Sequence, residues 1–197
     1  MRRAAAHVAV DPVAVAHERP LRADARRNRE RILKAARVVF ADKGSDAQID
    51  DVARRATVGV GTVYRHFPTK DALVHALVRE RFDEIAGFAE EALARADAWE
   101  AFRDLVWRSA ELNVRDRGFC DAVAFHDQTT VVVECGLMPR IDELMRRARA
   151  EGTLRDDATT GDIALLMCGM SSVVRTMPAP DAWRRYVALM LDGLRAS

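Results

Sequence analysis

The sequence predicts an all-α fold, and three observations carry that prediction. Apolar residues recur at the three- and four-residue steps that gather side chains on one helix face in most segments from residue 24 onward. The composition, with 10 Gly, 6 Pro and only 6% aromatic residues in 197, suits helices better than sheets. Two short helical patterns also stand almost back to back in QIDDVARRATVGVGTVYRHFPTK, residues 48–70, with about three residues between them. The expected organisation is an extension over 1–21, a three-helix head over 22–68 and a larger helical body over 69–197.

Residues 1–21 hold two prolines and show no sustained period, which predicts a mobile extension. Arg2, Arg3, Arg19, Arg22, Arg26, Arg27 and Arg29 run through it and into the first helix. They read either as a solvated tail or as a basic arm on DNA. The first helix is expected over Asp24–Lys43, with Ile32, Leu33, Ala36, Val39 and Phe40 inward and Gly44 at its C-terminal cap. Val52, Ala53 and Ala56 form the face of the second, and Asp50 and Asp51 in its first turn suit the helix dipole. Thr57-Val58-Gly59 breaks the pattern, with Gly59 expected to supply a positive φ. The third helix turns Val60, Val63 and Phe67 to one side and spreads Thr62, Tyr64, Arg65 and His66 over the rest until Pro68 stops it. This is the pattern of a helix-turn-helix with its recognition helix, although spacing alone also fits an ordinary corner between helices.

The residue identities add to the spacing. Between Arg29 and Leu73 the runs RERILKAARVVFADKG, IDDVARRA and GTVYRHFPTKDAL strongly resemble, in order and spacing, the N-terminal domain of the TetR family of bacterial transcriptional repressors. The chain departs from the family pattern in the turn, with Thr57 where glycine is usual and Gly59 where serine is common. The resemblance implies phosphate or base contacts from Thr62, Tyr64 and His66, a phosphate contact from Lys70, and close approach to base edges at Val60 and Gly61. A valine can meet only a thymine methyl there, and a glycine only permits approach. Gln48 could read adenine or hold a phosphate. With so few base-reading groups, DNA shape is expected to supply part of the specificity.

Thr69 is expected to cap the next helix, which runs to about Ala96 through Leu73, Val74, Leu77, Val78, Phe82 and Ile85, with Gly87 inside it. From Trp99 to Val114 the pattern is apolar on more than one side, as befits the middle of a bundle. A short helical stretch with Phe119, Val123 and Phe125 follows, and the β-branched run over 129–133 stays unassigned. Helices are then expected over 137–152, 159–176 and 181–195, the second capped by Asp157 or Thr159.

The resemblance also implies a pocket for a small molecule between body helices. Its candidate lining is Phe102, Trp107, Asn113, Phe125, His126, Met138, Met145 and Met170, each equally readable as plain core. The last two helices carry more apolar surface than one hairpin buries on its own body, so a homodimer is expected through them. The expected interface is Ile163, Leu166, Gly169, Met170, Val173, Trp183, Val187, Met190, Leu191 and Leu194.

Charge supports the division of labour. Residues 1–75 hold 15 Lys+Arg against 9 Asp+Glu, and the remainder holds 16 against 21. A basic head on an acidic body suits a nucleic-acid partner. Cys120, Cys135 and Cys168 are odd in number and show no metal spacing, so neither a disulfide framework nor a metal site is expected. A redox sensor acting through one cysteine is the alternative reading. No glycine-rich phosphate loop or metal-ligand series appears, and His126, Asp127 and Glu134 stand at no motif spacing. An enzyme is therefore not expected, nor is any cofactor. Neither a membrane span nor a secretory signal is legible, and the cytoplasm is the expected location. The partners expected are double-stranded operator DNA, a small effector and a second copy of the chain.

Overall fold

The computed structural model describes residues 12–116, 129–176, 179 and 181–196. Arg2, Arg3, Phe119, Cys120, Val123, Phe125, His126 and Asp127 lie outside the described residues. Among those described, the regular elements are helices: α1 (Pro12–Lys43), α2 (Ile49–Ala56), α3 (Val60–His66), α4 (Lys70–Leu93), α5 (Ala98–Arg115), α6 (Thr129–Glu134), α7 (Leu137–Ala150), α8 (Thr160–Thr176) and α9 (Ala182–Leu194). A single 3-10 turn at Gly44–Asp46 joins α1 to α2.

Two cores are stacked along α4. The first half of α4 supplies Leu73, Val74, Leu77 and Val78 to a head core shared with Ile32, Leu33, Ala36, Val39 and Phe40 of α1, Val52, Ala53 and Ala56 of α2, and Val63 and Phe67 at α3. The second half gives Ile85, Ala89 and Ala92 to a body core built on Phe102, Leu105, Leu144, Met145, Met170 and Val187. The helix continues through Gly87, as expected, because one interior glycine costs only about 1 kcal/mol.

Helix ends are closed by specific groups. Thr69 Oγ1 accepts from the Ala72 N–H at 3.0 Å and starts α4, and Asp97 Oδ1 accepts from Glu100 N–H at 2.8 Å and starts α5. Arg147 of α7 donates to the carbonyls of Leu93 and Arg95 at 2.8 and 2.6 Å, closing the C-terminal end of α4 from a neighbouring helix. Thr159, not Asp157, caps α8: its hydroxyl accepts from Asp162 N–H at 3.2 Å while Asp162 Oδ2 accepts from Thr159 N–H at 2.8 Å. Asp157 pairs instead with Arg155.

Three elements differ from expectation. α1 begins at Pro12, so much of the stretch read as a mobile extension is helical and continuous with the head. Its alanines and arginines are good helix formers. The run over 129–133 forms the short helix α6, which carries Val131, fully buried, into the head core beside α4. Third, the positive φ in the turn belongs to Thr57 (φ 55), whereas Gly59 has an ordinary φ of −69. The left-handed residue is the one that closes α2, two residues earlier than assigned from the sequence.

Candidate nucleic-acid interface

The turn of the helix-turn-helix is fixed from behind by α1. Arg31 donates to the Ala56 carbonyl at 2.7 Å and to the Thr57 carbonyl at 3.4 Å, placing a cation on the negative end of α2. At the opposite end of α2, Asp51 accepts from Gln48 N–H at 3.3 Å and pairs with Lys43 at 2.7 Å. The Lys43 ammonium, then desolvation in the opposite sense and the Gln48 N–H, leave the Asp51 carboxyl below its ordinary value. Arg31, Lys34 and Arg55 line an open hollow beside the turn.

α3 presents a mixed outer surface. Val60 is 38% and Tyr64 48% exposed, Gly61 and Arg65 are exposed, and Thr62 and His66 are half-buried. Val63 alone is fully buried and anchors the helix. Gly61 has no neighbour within 4 Å of where a Cβ would stand, and its φ is not positive, so neither packing nor backbone geometry demands a glycine there. The structure thus places Val60, Gly61, Thr62, Tyr64 and His66 on one short helix.

The two remaining sequence candidates have partners within the chain. Lys70 Nζ donates to the Ser45 carbonyl at 2.7 Å and lies 5.7 Å from the Phe40 ring centroid. One bond leaves two ammonium donors free in geometry for an outside acceptor. Gln48 directs its amide N–H to the Asp46 carbonyl at 3.0 Å, so its side chain helps fix the turn into α2. Sequence reading missed Arg29 and Arg31 as head-organising residues. Arg29 sits 5.4 Å above the Phe67 ring, immediately past the recognition helix.

The body candidates divide in two. Phe102, Met145 and Met170 have no exposed surface and are core. Trp107, Asn113 and Met138 are half-buried. Trp107 packs edge-on against Trp183 with centroids 5.7 Å apart. Asn113 accepts from Arg81 of α4 and donates to Ser171 Oγ of α8 at 3.4 Å, a polar line across three helices.

The expected dimer residues differ in how far the single chain already covers them. Ile163, Met170, Trp183, Val187, Met190, Leu191 and Leu194 are all buried within one chain, because α8 and α9 turn those faces onto α5 and α7. Leu166, Gly169 and Val173 are half-buried. The close approach at Gly169 is made by Tyr186 of the same chain: an added Cβ would collide with the phenol oxygen, which donates to the Leu166 carbonyl at 2.9 Å. The outward apolar residues are Leu165 on α8, 72% exposed, and Leu189 on α9, 53% exposed.

Among the described residues no group of three His, Cys, Asp or Glu side chains could hold a metal, and no helix is long and apolar enough to cross a membrane. Cys135 donates to the Val132 carbonyl, and Cys168 is exposed.

Comparison with known proteins agrees with this geometry over both units. The family described as bacterial regulatory proteins, tetR family, matches residues 32–77. The one described as transcriptional regulator SbtR-like, C-terminal domain, matches residues 94–196. The HTH-type transcriptional repressor KstR of Mycobacterium tuberculosis is 33% identical over 156 residues, covering 76% of this chain and 71% of that protein. The crystal structure of the TetR transcription regulatory protein from Mycobacterium vanbaalenii aligns with a TM-score of 0.64 at 35% identity, over 90% of this chain and 100% of that one. That of the TetR transcriptional regulator SCO0520 from Streptomyces coelicolor aligns with a TM-score of 0.64 at 31% identity, over 86% and 99%. With both halves matched and the helix-turn-helix in place, the chain belongs to the TetR family of bacterial transcriptional regulators.

Proposed function

We propose that the protein is a repressor that binds a pseudo-palindromic operator as a homodimer in the cytoplasm and is released by a small, largely apolar effector held in its body. The observation that carries the DNA part is Gly61. An exposed glycine inside a short helix weakens that helix, and nothing in the fold asks for it. Close approach of the α3 backbone to base edges gives it a reason. Val60 beside it offers a methyl-sized apolar contact, and Tyr64 and Lys70 offer donors to the phosphates on either side.

The repressing sense draws on KstR, which is named a repressor. Dimerisation draws on Leu165 and Leu189, two large apolar side chains left outward on α8 and α9. Cys168 and Ser172 continue the Leu165 stripe along α8 at i+3 and i+7, giving a face able to pair with its two-fold copy. An effector acts only through a difference in affinity between two conformations. α4 belongs to both cores, so a shift of its body half moves the head.

The test has two stages. Genomic fragments retained by the purified protein are sequenced, with an inverted repeat the expected result. Affinity for that repeat is then measured with and without compounds that raise the melting temperature. A typical coupling lowers affinity roughly 5–150-fold. Retained fragments with no common inverted repeat would overturn the operator reading. Ligands that all leave affinity unchanged would overturn release by effector.

A further inference from the structure

We propose that Arg65 is a specificity-determining residue of the recognition helix, its guanidinium donating to O6 and N7 of one guanine in each half-site. This role rests on the DNA-binding reading and adds a base contact to it. Val63 is the residue that anchors α3 in the head core, with no exposed surface. Gly61 and Arg65 stand two residues to either side of it. At roughly 100° per residue, each is turned about 200° from the anchor. Both therefore lie on the side of α3 farthest from the core, and both are exposed.

Gly61 and Arg65 are four residues apart, which makes them neighbours along that outer face. Helical side chains lean toward the N-terminal end of their own helix, so the Arg65 stem is directed across the position of Gly61. No group stands within 4 Å of where a Cβ on Gly61 would be, and the path is clear. The guanidinium can reach the place where the α3 backbone would meet base edges. Neighbouring arginines are committed inside the chain. Arg29 lies over the Phe67 ring, Arg31 bonds the Ala56 and Thr57 carbonyls, and Arg54 pairs with Asp51. Arg65, the one Lys or Arg within α3, has no hydrogen bond, ion pair or ring contact among the described residues. It gives up no internal partner in turning to DNA, and its planar fork of donors matches the two acceptors that guanine shows in the major groove.

The experiment remakes the inverted repeat recovered from genomic DNA with 7-deazaguanine, which lacks the N7 acceptor, at each symmetric pair of guanines in turn. The full chain is expected to lose roughly tenfold in affinity at one pair. Arg65→Ala should bind the natural repeat more weakly and be indifferent to the substitution at that pair. Arg65→Lys keeps the charge without the planar fork, so it should match the full chain on random DNA and recover only part of the preference for the repeat. Arg65 is exposed, so both variants should keep the helicity of the natural chain, and the 7-deazaguanine series on the full chain does not depend on their folding. If Arg65→Ala weakens the repeat and random DNA by the same factor and Arg65→Lys restores both, the residue holds a phosphate and the base contact is overturned. It is overturned equally if no 7-deazaguanine substitution distinguishes the full chain from Arg65→Ala. A full chain that retains no inverted repeat removes the DNA-binding reading itself.

Discussion

The carboxylate of Asp116, at the end of α5, lies 3.6 Å from the guanidinium of Arg37 on α1. It stands the same distance from Arg81 of α4, so one acidic group of the body ties together the head and the helix that both units share. Asp116 and Arg81 side chains are 9% and 8% exposed, while Arg37 is 30% exposed. The neighbouring Glu80, 3.7 Å from Arg37, is raised by burial and lowered again by that cation, with burial the larger effect. The junction is therefore a charge cluster in which a loss on either side is felt by both units.

Removing Asp116 takes one carboxylate away from the buried Arg81 guanidinium, which keeps its contact with Asn113. Breaking a buried pair from one side costs on the order of 3 kcal/mol. Removing Arg37 leaves the buried half of the cluster intact and costs about 1 kcal/mol or less. Urea unfolding should rank Asp116→Ala far below Arg37→Ala. The Arg37 variant should also respond less to a saturating effector in operator affinity, because the head has lost one of its ties to α5. Equal stabilities for the two variants would contradict this division of roles.

Thr57 occupies a left-handed conformation with φ 55, which glycine adopts freely and a β-branched residue does not. It is exposed, and its N–H closes α2 on the carbonyls of Ala53 and Arg54. Thr57→Gly should therefore stabilise the chain by about 1 kcal/mol, the cost of a left-handed L-residue less the added freedom of glycine when unfolded. A denaturation midpoint that moves downward would show that the threonine side chain supplies something the backbone argument omits.

The turn also shows how far the sequence could be read. The helices of the head were legible because apolar spacing and the residue pattern from Arg29 to Leu73 agree. Which turn residue would take the positive φ was not, because glycine is the default choice and Thr57 is held there by α2 ending at Ala56 and by Arg31 behind it. In the body, the α8 and α9 boundaries follow from caps and proline. The assignment of their faces does not, since Ile163 and Leu165 are equally apolar and only packing against α5 and α7 turns one inward and leaves the other 72% exposed. α6 escaped because three consecutive valines carry no helical period, and Val131 is helical through its burial in the head core. Lys70 was legible as a cation near DNA, but its bond to Ser45 depends on a turn 25 residues away.

The outward faces of α8 and α9 lead to a test of the dimer. Leu165→Arg and Leu189→Arg place charge on surface that is exposed in one chain, so folding should be unaffected and pairing lost. Light scattering at micromolar concentration should report a dimer for the natural chain and a monomer for the double variant, at unchanged helicity. Val187→Arg, by contrast, should unfold the body, because Val187 has no exposed surface. A double variant that stays dimeric would move the interface away from α8 and α9.

Lys70 and Val60 should differ in what they recognise. Lys70 retains donors beyond its bond to Ser45, so Lys70→Ala should weaken all DNA sequences about equally and lower the salt slope by about one. Val60 is 38% exposed at the start of α3 and carries no charge. Val60→Ala should cost little on random DNA and more on the operator. The measurement is affinity for both DNAs at several salt concentrations. If Lys70→Ala leaves the slope unchanged, the lysine serves the turn at Ser45 and not a phosphate.

Gly61 separates stability from function within one residue. Its position inside α3 is exposed, its φ is not positive, and a Cβ would meet nothing within 4 Å. Gly61→Ala should therefore stabilise the isolated protein, by about 0.5 to 1 kcal/mol, as alanine does for glycine within a helix. If the α3 backbone approaches base edges at this point, the same methyl group meets the DNA and the variant binds its operator less tightly. Gly61→Val should worsen the binding further, with a smaller gain in stability, since β-branching restricts the side chain in a helix. The pair of measurements is a urea midpoint and an operator affinity on each variant. Higher midpoint with weaker binding is the expected combination. A variant that gains stability and binds as well as the natural chain would show that contact with DNA does not account for the glycine in the recognition helix.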